Sequence, residues 1–423
     1  MVLTALLMSI LFGVPLFCII GALAIYAFVN VEIDVSAIII EMVRLASAPT
    51  LLAIPLFTFT GYLLAESKAP RRMVTFSRAL FGWMPGGIPV VVLISCAFFT
   101  AFTGASGVTI IALGGLLYPI LRSQEYSEDF TLGLLTTSGS IGLLLPPSLP
   151  LILYGVVAKT GIDQLFIAGI IPNTLLIILL SIFSIRHGLK RSQKRNPFSF
   201  KELVRATRQV GFEIPLPVIV LVGIYSGLFT ATEAAAISAL YVVIVEIFIY
   251  RDLSFFKDLP RVMQKSMLLV GAILIILGSA LGLTNFLIDA QIPMKILGWM
   301  QQYITSKWMF LILLNIFLLI VGCILDIFSA IIVVVPLIQP IALSFGVDPV
   351  HLGIIFLCNL SIGYCTPPIG INLFIASSRF DKSILHLYKS TLPFLAILLI
   401  GLMLITYIPW ISLGLQELIL GSK

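Results

Sequence analysis

Charge is scarce in this sequence. Asp, Glu, Lys and Arg supply 10% of its 423 residues, where a soluble globular domain carries about 25%. Hydrophobic residues make up 60%, and apolar runs of about 20 residues, long enough to cross a bilayer, recur from end to end. A polytopic membrane protein is the class that fits. Residues 1–30 hold no charged side chain. They lack the basic n-region and small-residue cleavage site of a secretory signal and read as a retained first helix. The five cysteines (Cys18, Cys96, Cys323, Cys358, Cys365) all lie inside apolar runs, without CxxC or Cys/His spacing. That argues against a disulfide framework and a zinc site. Only three histidines are present, His187, His351 and His386, in loops or at helix ends, where a proton relay is not expected. No GxxxxGK[ST] occurs, so no ATP is bound through a P-loop. The net charge of +6 is spread over loops and makes no case for nucleic acid.

What is present is apolar, and its interruptions are informative. Clear spans are predicted at 2–29, 49–65, 130–158, 164–185, 266–288, 352–378 and 390–412, with two shorter ones at 214–229 and 231–250. Two longer segments differ in kind. Residues 85–121 carry no charge, and residues 308–347 carry one, Asp326. Each is short for two full spans and has polar or small residues at its centre, FTGASG and LDIFS. Both read as re-entrant hairpins, which membranes tolerate only where protein or a water-filled cavity surrounds them. The phrase SIGLLLPP (Ser140 to Pro147) returns as SIGYCTPP (Ser361 to Pro368) after each hairpin. Its prolines remove backbone donors and free the carbonyls of the preceding turn, so two discontinuous helices are predicted, at 130–158 and 349–378. Amphipathic stretches follow the first span of each half, at 31–47 and 251–265.

The order is thus a repeat over about 1–190, a linking span at 214–229, and a second repeat over about 231–415, within a single membrane permease covering 1–423. An odd number of spans separates equivalent points, so the repeats are inverted. Of the 25 Lys and Arg, 20 fall in segments 66–84, 122–129, 186–213, 251–265 and 379–389; Arg44, Lys159, Lys295, Lys307 and Lys423 fall on the other side. The positive-inside rule puts the first side, and the N-terminus, in the cytoplasm and the C-terminus outside.

Inverted repeats with paired discontinuous helices point to a secondary transporter, in which freed carbonyls and half-helix ends hold ions near the midplane. The bland alternative is a pair of proline kinks repaired by neighbouring helices. Asp326 is an ionisable group at membrane depth, costly there and a candidate ion or substrate ligand; otherwise it makes a structural hydrogen bond. Glu233, at the start of a span, reads as a helix-terminal charge. Gly104-Ala105-Ser106-Gly107 matches the GxSG of rhomboid intramembrane proteases, but serine catalysis needs a base in reach, and no histidine sits at comparable depth. The protein is therefore not read as an enzyme. A channel suits paired hairpins less well than alternating access does.

At this level of detail the chain resembles the large membrane (M) subunit of tripartite ATP-independent periplasmic (TRAP) transporters along essentially its whole length. The likeness is carried by MPGGIPVVVLISCAFFTAFTGASGVT (Met84 to Thr109), LLLPPSLPLILYG (Leu143 to Gly155), GIYSGLFTATEAAA (Gly223 to Ala236), and LDIFSAIIVVVPLIQPIA with TPPIGINLF between Leu325 and Phe374. Many members resemble GSSPAT at the first hairpin tip, where this chain has GASGVT. The resemblance implies an elevator that imports organic anions such as dicarboxylates or sialic acids on a Na⁺ gradient across a prokaryotic inner membrane. It implies a small four-helix membrane subunit and a periplasmic or extracytoplasmic substrate-binding protein as partners. Carried onto this sequence, a first sodium site uses Gly104, Ser106 and the break around Ser140, Pro146 and Ser148. A second uses Asp326, Ser329, Gly363 and Thr366, with substrate near Thr103, Ser148 and Asn372. The runner-up is a stand-alone sodium-coupled divalent-anion symporter, which needs no binding protein.

Overall fold

The computed structural model describes residues 14–31, 34–84, 86–189, 198–304 and 306–421. The first half of the expected span 2–29, residue 85 at the start of the first hairpin, the basic stretch 190–197 and Lys423 lie outside the described residues. Among those described, all regular structure is helical. The first half holds α1 (Leu16–Asn30), α2 (Ser36–Ala46), α3 (Ala53–Glu66), α4 (Ala69–Phe81), α5 (Gly87–Thr103), α6 (Ser106–Ser123), α7 (Glu128–Ile141), α8 (Leu149–Ala158), α9 (Ile162–Leu189) and α10 (Phe200–Gln209). Then come α11 (Pro215–Tyr225), α12 (Ala231–Val243), which continues as a π-helix over Ile244–Ile249, α13 (Asp258–Asp289), α14 (Ile292–Tyr303), α15 (Lys307–Ile324), α16 (Ile327–Ser344), α17 (Pro349–Gly363), α18 (Ile371–Phe380), α19 (Ile384–Tyr407) and α20 (Trp410–Leu420). Among the described residues eight helices are long and apolar enough to cross a membrane, nine if α7 and α8, bent by 45° at their break, count as one span.

Most predicted spans coincide with helices, and the differences are physical. The later part of the amphipathic stretch at 251–265, from Asp258 on, and the span at 266–288 share one helix, α13, of 32 residues. Hydropathy marks where a helix enters lipid, not where its backbone starts. The last span begins earlier, at Ile384, and Pro409 separates it from α20. The linking segment forms only the 11 residues of α11, about 17 Å at 1.5 Å per residue. Its ends nevertheless reach opposite ends of the bundle. The Tyr225 hydroxyl donates to the Asp163 carbonyl at the start of α9 (3.2 Å). At its other end, the Tyr241 hydroxyl donates to the Phe212 carbonyl (2.8 Å).

The basic segments share one end of the molecule. Arg72 pairs with Glu213, Glu246 and Asp252, and Lys265 and Arg261 with Glu66. Lys382 pairs with Glu128 and His386 with Asp129, while Gly188 lies against Gly86 and the Tyr126 hydroxyl. At the opposite end the Lys307 ammonium donates to the Gly346 carbonyl (2.6 Å), and the Gln339 amide to the Ala158 carbonyl (2.9 Å). The core runs between these ends, built from the buried faces of α5, α7, α8, α9, α16 and α17. Large apolar side chains left outside include Ile312, Ile316, Phe317 and Ile320 along α15, as expected where lipid or another apolar helix replaces water.

Candidate functional site

Two helix–tip–helix units and two broken helices meet inside the bundle. In the first unit α5 ends at Thr103, and Gly104, at φ 63°, turns the chain. Only glycine adopts that conformation without penalty. A Cβ there would also lie 2.5 Å from the Leu149 Cβ. Ala105 is extended and α6 starts at Ser106. At 17 residues α5 puts this tip about 26 Å from the basic end. The adjoining α7 runs out in a 3₁₀ turn at Gly142–Leu144, then an extended break through Pro146 to Ser148, before α8 resumes. Gly142 presses on α5 so closely that a Cβ would lie 2.0 Å from the Ala97 carbonyl oxygen. The Thr100 hydroxyl donates to the Gly139 carbonyl (2.9 Å) and lies 2.7 Å from the Thr109 hydroxyl.

The second unit starts at the other end of the bundle, where Lys307 meets Gly346. Helix α15 ends at Ile324, Leu325 is extended, and Asp326 caps α16. Gly363 presses on the α15 backbone, a Cβ there lying 2.7 Å from Gly322. The Gly370 amide donates to the Cys323 carbonyl (3.1 Å), and the Ile327 amide to the Tyr364 hydroxyl. Both Pro-Pro bonds, Pro146-Pro147 and Pro367-Pro368, are cis.

The halves touch through equivalent residues. The Ser140 hydroxyl donates to the Ser361 carbonyl (2.9 Å), its counterpart 221 positions on. The Ser106 hydroxyl donates to the Asn372 side-chain oxygen (2.7 Å). The Asn372 amide faces the Thr136 carbonyl at 3.5 Å and the Cys365 sulfur at 3.6 Å. Ser106, expected at an ion, and Asn372, expected at substrate, are therefore direct partners. Thr103 is fully buried, with its hydroxyl 3.5 Å from the Ala105 carbonyl. The buried Ser148 hydroxyl folds back to the Leu143 carbonyl. In the second unit the Asp326 Oδ2 accepts from the Phe328 and Ser329 amides (both 3.0 Å) and Oδ1 from the Ser329 hydroxyl. A carboxylate has about four acceptor positions, so this cap leaves room for a cation. Thr366, in the break after α17, donates to the Ile362 carbonyl in the last turn of that helix (3.0 Å).

Other sequence readings resolve plainly. Glu233 closes a capping box with Thr230 at the start of α12, a structural task. His351 is buried between the Ser412 hydroxyl and the Thr406 carbonyl, His386 faces Asp129, and His187 stacks on Phe130. Ser106 is bound to Asn372, not to a base, which removes the geometry a serine protease needs.

Two polar clusters escaped the sequence reading. Asn359 donates to Asn315 (2.7 Å) and Asn315 to Thr406 (3.2 Å), tying α17, α15 and α19 together. Arg72 gathers Glu213, Glu246 and Asp252, and its guanidinium lies 3.9 Å over the Tyr250 ring. Burial opposes charge on Arg72, but its hydrogen bond to Asp252 and the attraction of Glu246 and Glu213 outweigh it and raise its pKa. Burial pushes Glu213 up despite Arg72. Asp252 is also penalised by burial, but hydrogen bonds from Arg72 and Lys68 hold it below the ordinary value. Glu246 was the available signal: like Asp326, it is a carboxylate inside an apolar span.

Residues 2–411 match the family described as tripartite ATP-independent periplasmic transporter, DctM component. The chain belongs to that family. It is 35% identical to the C4-dicarboxylate TRAP transporter large permease protein of Pseudomonas aeruginosa, over 91% of this chain and 90% of that one. It is 33% identical to the sialic acid TRAP transporter large permease protein of Vibrio cholerae, over 88% and 87%. As a TRAP large permease it is a multi-pass membrane transporter subunit, not an enzyme. It serves solute uptake together with a small membrane subunit and a substrate-binding protein. The fold is also that of the Alcanivorax borkumensis YdaH transporter, with TM-score 0.61 and 14% identity over 87% of this chain and 85% of that one.

Proposed function

We propose that this TRAP permease couples an inward Na⁺ gradient to the uptake of an organic anion of the dicarboxylate or sugar-acid class. The observation that carries this reading is that four helices begin inside the bundle, α6, α8, α16 and α18. Of the helices that start at the two ends of the bundle, six have side-chain caps, from Ser127, Ser199, Thr230, Ser306, Asp348 and Ser383, and others, α4, α5, α11 and α14 among them, have none. Of the four that start inside it, three, α6, α8 and α18, have no side-chain cap. The first amides of a helix lack intrahelical partners and favour an anion. Three such ends supply a receptor for carboxylates without a lysine or arginine. The fourth interior start, α16, carries Asp326 instead, and a carboxylate flanked by hydroxyls and freed carbonyls is what a hard cation takes. Carboxylate substrates are also named for the two relatives above. In this reading Gly104, Ser106, Ser140 and Pro146 frame one sodium site. Asp326, Ser329, Gly363 and Thr366 frame the other, and Thr103, Ser148 and Asn372 face the anion.

The moving body of the elevator is α5–α8 with α15–α18, carried against the remaining helices, with the N-terminus cytoplasmic and the C-terminus periplasmic. The test is uptake into proteoliposomes holding this chain and its small subunit, with labelled anion presented by its binding protein. Uptake is expected to require both the binding protein and an inward Na⁺ gradient, and to stop when an ionophore collapses that gradient. Gradient-independent uptake would refute sodium coupling. Full uptake by this chain alone, without the binding protein, would favour the stand-alone symporter.

A further inference from the structure

Two cavities open at the end of the bundle that is poor in basic residues, and they share a wall. The larger, about 700 Å³, lies between the α8–α9 turn and the starts of α3 and α12. The smaller, about 360 Å³, lies between α13 and α16. Arg44, Lys159 and Leu281 line both. Asp163 lines only the larger one. Two of the five basic residues on this side therefore converge on one opening. The smaller cavity also has a direction. Its α16 wall runs from Pro340 through Pro336 to Ile332, a single helical face at i, i+4 and i+8 spacing. The next residue of that face toward the helix start is Ser329, one turn on, where the Asp326 cap sits.

We propose that Arg44 and Lys159 make this opening an anion-gathering subsite, a first station for the substrate carboxylate on its way into the bundle between α13 and α16. The inference rests on the reading of the substrate as an organic anion. The smaller cavity is lined by one sign of charge, and such a cleft focuses the field and raises local counter-ion concentration, lifting on-rates by about 10- to 1,000-fold. Lys159 also sits at φ 51° as the residue ending α8. Replacing it by glycine removes the cation while relaxing the backbone, which makes it a clean probe.

The test uses thiol chemistry and needs no knowledge of the substrate. Thr284 lines the smaller cavity from α13. A Thr284→Cys variant is made in a Cys18→Ser background, because the other native cysteines are buried. Its reaction rates with sulfonatoethyl and trimethylammonioethyl methanethiosulfonate, similar in size and opposite in charge, are compared at low salt. The anionic reagent is expected to react about tenfold faster relative to each reagent's rate with free cysteine, the low end of that range. The preference should fall to about one with Arg44→Gln and Lys159→Gly combined, and shrink as salt rises. Lys159→Gly alone should give an intermediate ratio, a control should the double variant fold poorly. A ratio near one in the parent, or one unchanged in both variants, overturns the proposal. Sodium-independent uptake by the wild-type transporter would sink the functional reading and leave this ratio untouched.

Discussion

Asp326 and Arg72 show how differently two charged groups are held in one apolar chain. Asp326 stands alone at a helix start, with its oxygens met by backbone amides and one hydroxyl. Arg72 is surrounded by three carboxylates, two of them, Glu213 and Glu246, buried. Removing one partner of a buried ion pair costs about 3–5 kcal/mol, because it strands the other charge. Arg72→Gln strands Glu213 and Glu246, leaving only Asp252 with another cation, Lys68, and should destabilise by at least that much, whereas Glu213→Gln leaves Arg72 two anions and should cost clearly less. Thermal unfolding of both variants in detergent, followed by size-exclusion survival, checks the order. Equal losses would mean that Glu213, not Arg72, organises the cluster. The lone Asp326 was legible in the sequence because it interrupts a run without charge. The Arg72 cluster was not, since its members lie at 72, 213, 246 and 252 and only the fold assembles them. The Ser106–Asn372 contact, bridging 266 positions, was hidden for the same reason.

The hairpins and broken helices were legible because their punctuation is local: a small, polar tip in each hairpin, a proline pair in each break. Their packing reduces to two glycines. Gly142 and Gly363 hold equivalent positions, and each meets the backbone of the neighbouring hairpin helix, which cannot rotate away as a side chain can. Overpacking typically costs about 1–3 kcal/mol. Gly142→Ala, with a Cβ 2.0 Å from the Ala97 oxygen, and Gly363→Ala, with a Cβ 2.7 Å from Gly322, should fall at or above that range. Gly271→Ala on α13, where a Cβ meets nothing within 4 Å, should be neutral or stabilise by up to about 1 kcal/mol, since alanine is the better helix former. Melting temperatures of the three variants decide the matter. A drop for Gly271→Ala as large as for the other two would show that helix packing is not the cause. Helix ends were read less well than helix cores. The α13 start was missed because polar residues can continue a helix beyond the lipid, and the brevity of α11 because its apolar run extends past the turn at Ser226–Gly227.

Across the whole molecule, the split of basic residues anticipated which segments lie together, and among the described residues ion pairs join 66–84 with Glu213 and 251–265, and 122–129 with 379–389. What sequence could not supply is the meeting of the two halves. Ser140 reaches its own counterpart Ser361, so the junction between the breaks is one structure, not two separate kinks. The claim built on this junction is that it binds the coupling ion, with Asp326 supplying the charge. Asp326→Asn keeps the shape of the cap and removes that charge. The most direct measurement is the sodium concentration for half-maximal uptake in proteoliposomes at saturating binding protein and substrate, with wild type and variant matched for folded protein. The variant is expected to need at least tenfold more sodium, equivalent to about 1.4 kcal/mol of lost binding. A sodium dependence equal to that of the wild type would show that Asp326 only caps its helix, contradicting its place in the ion site.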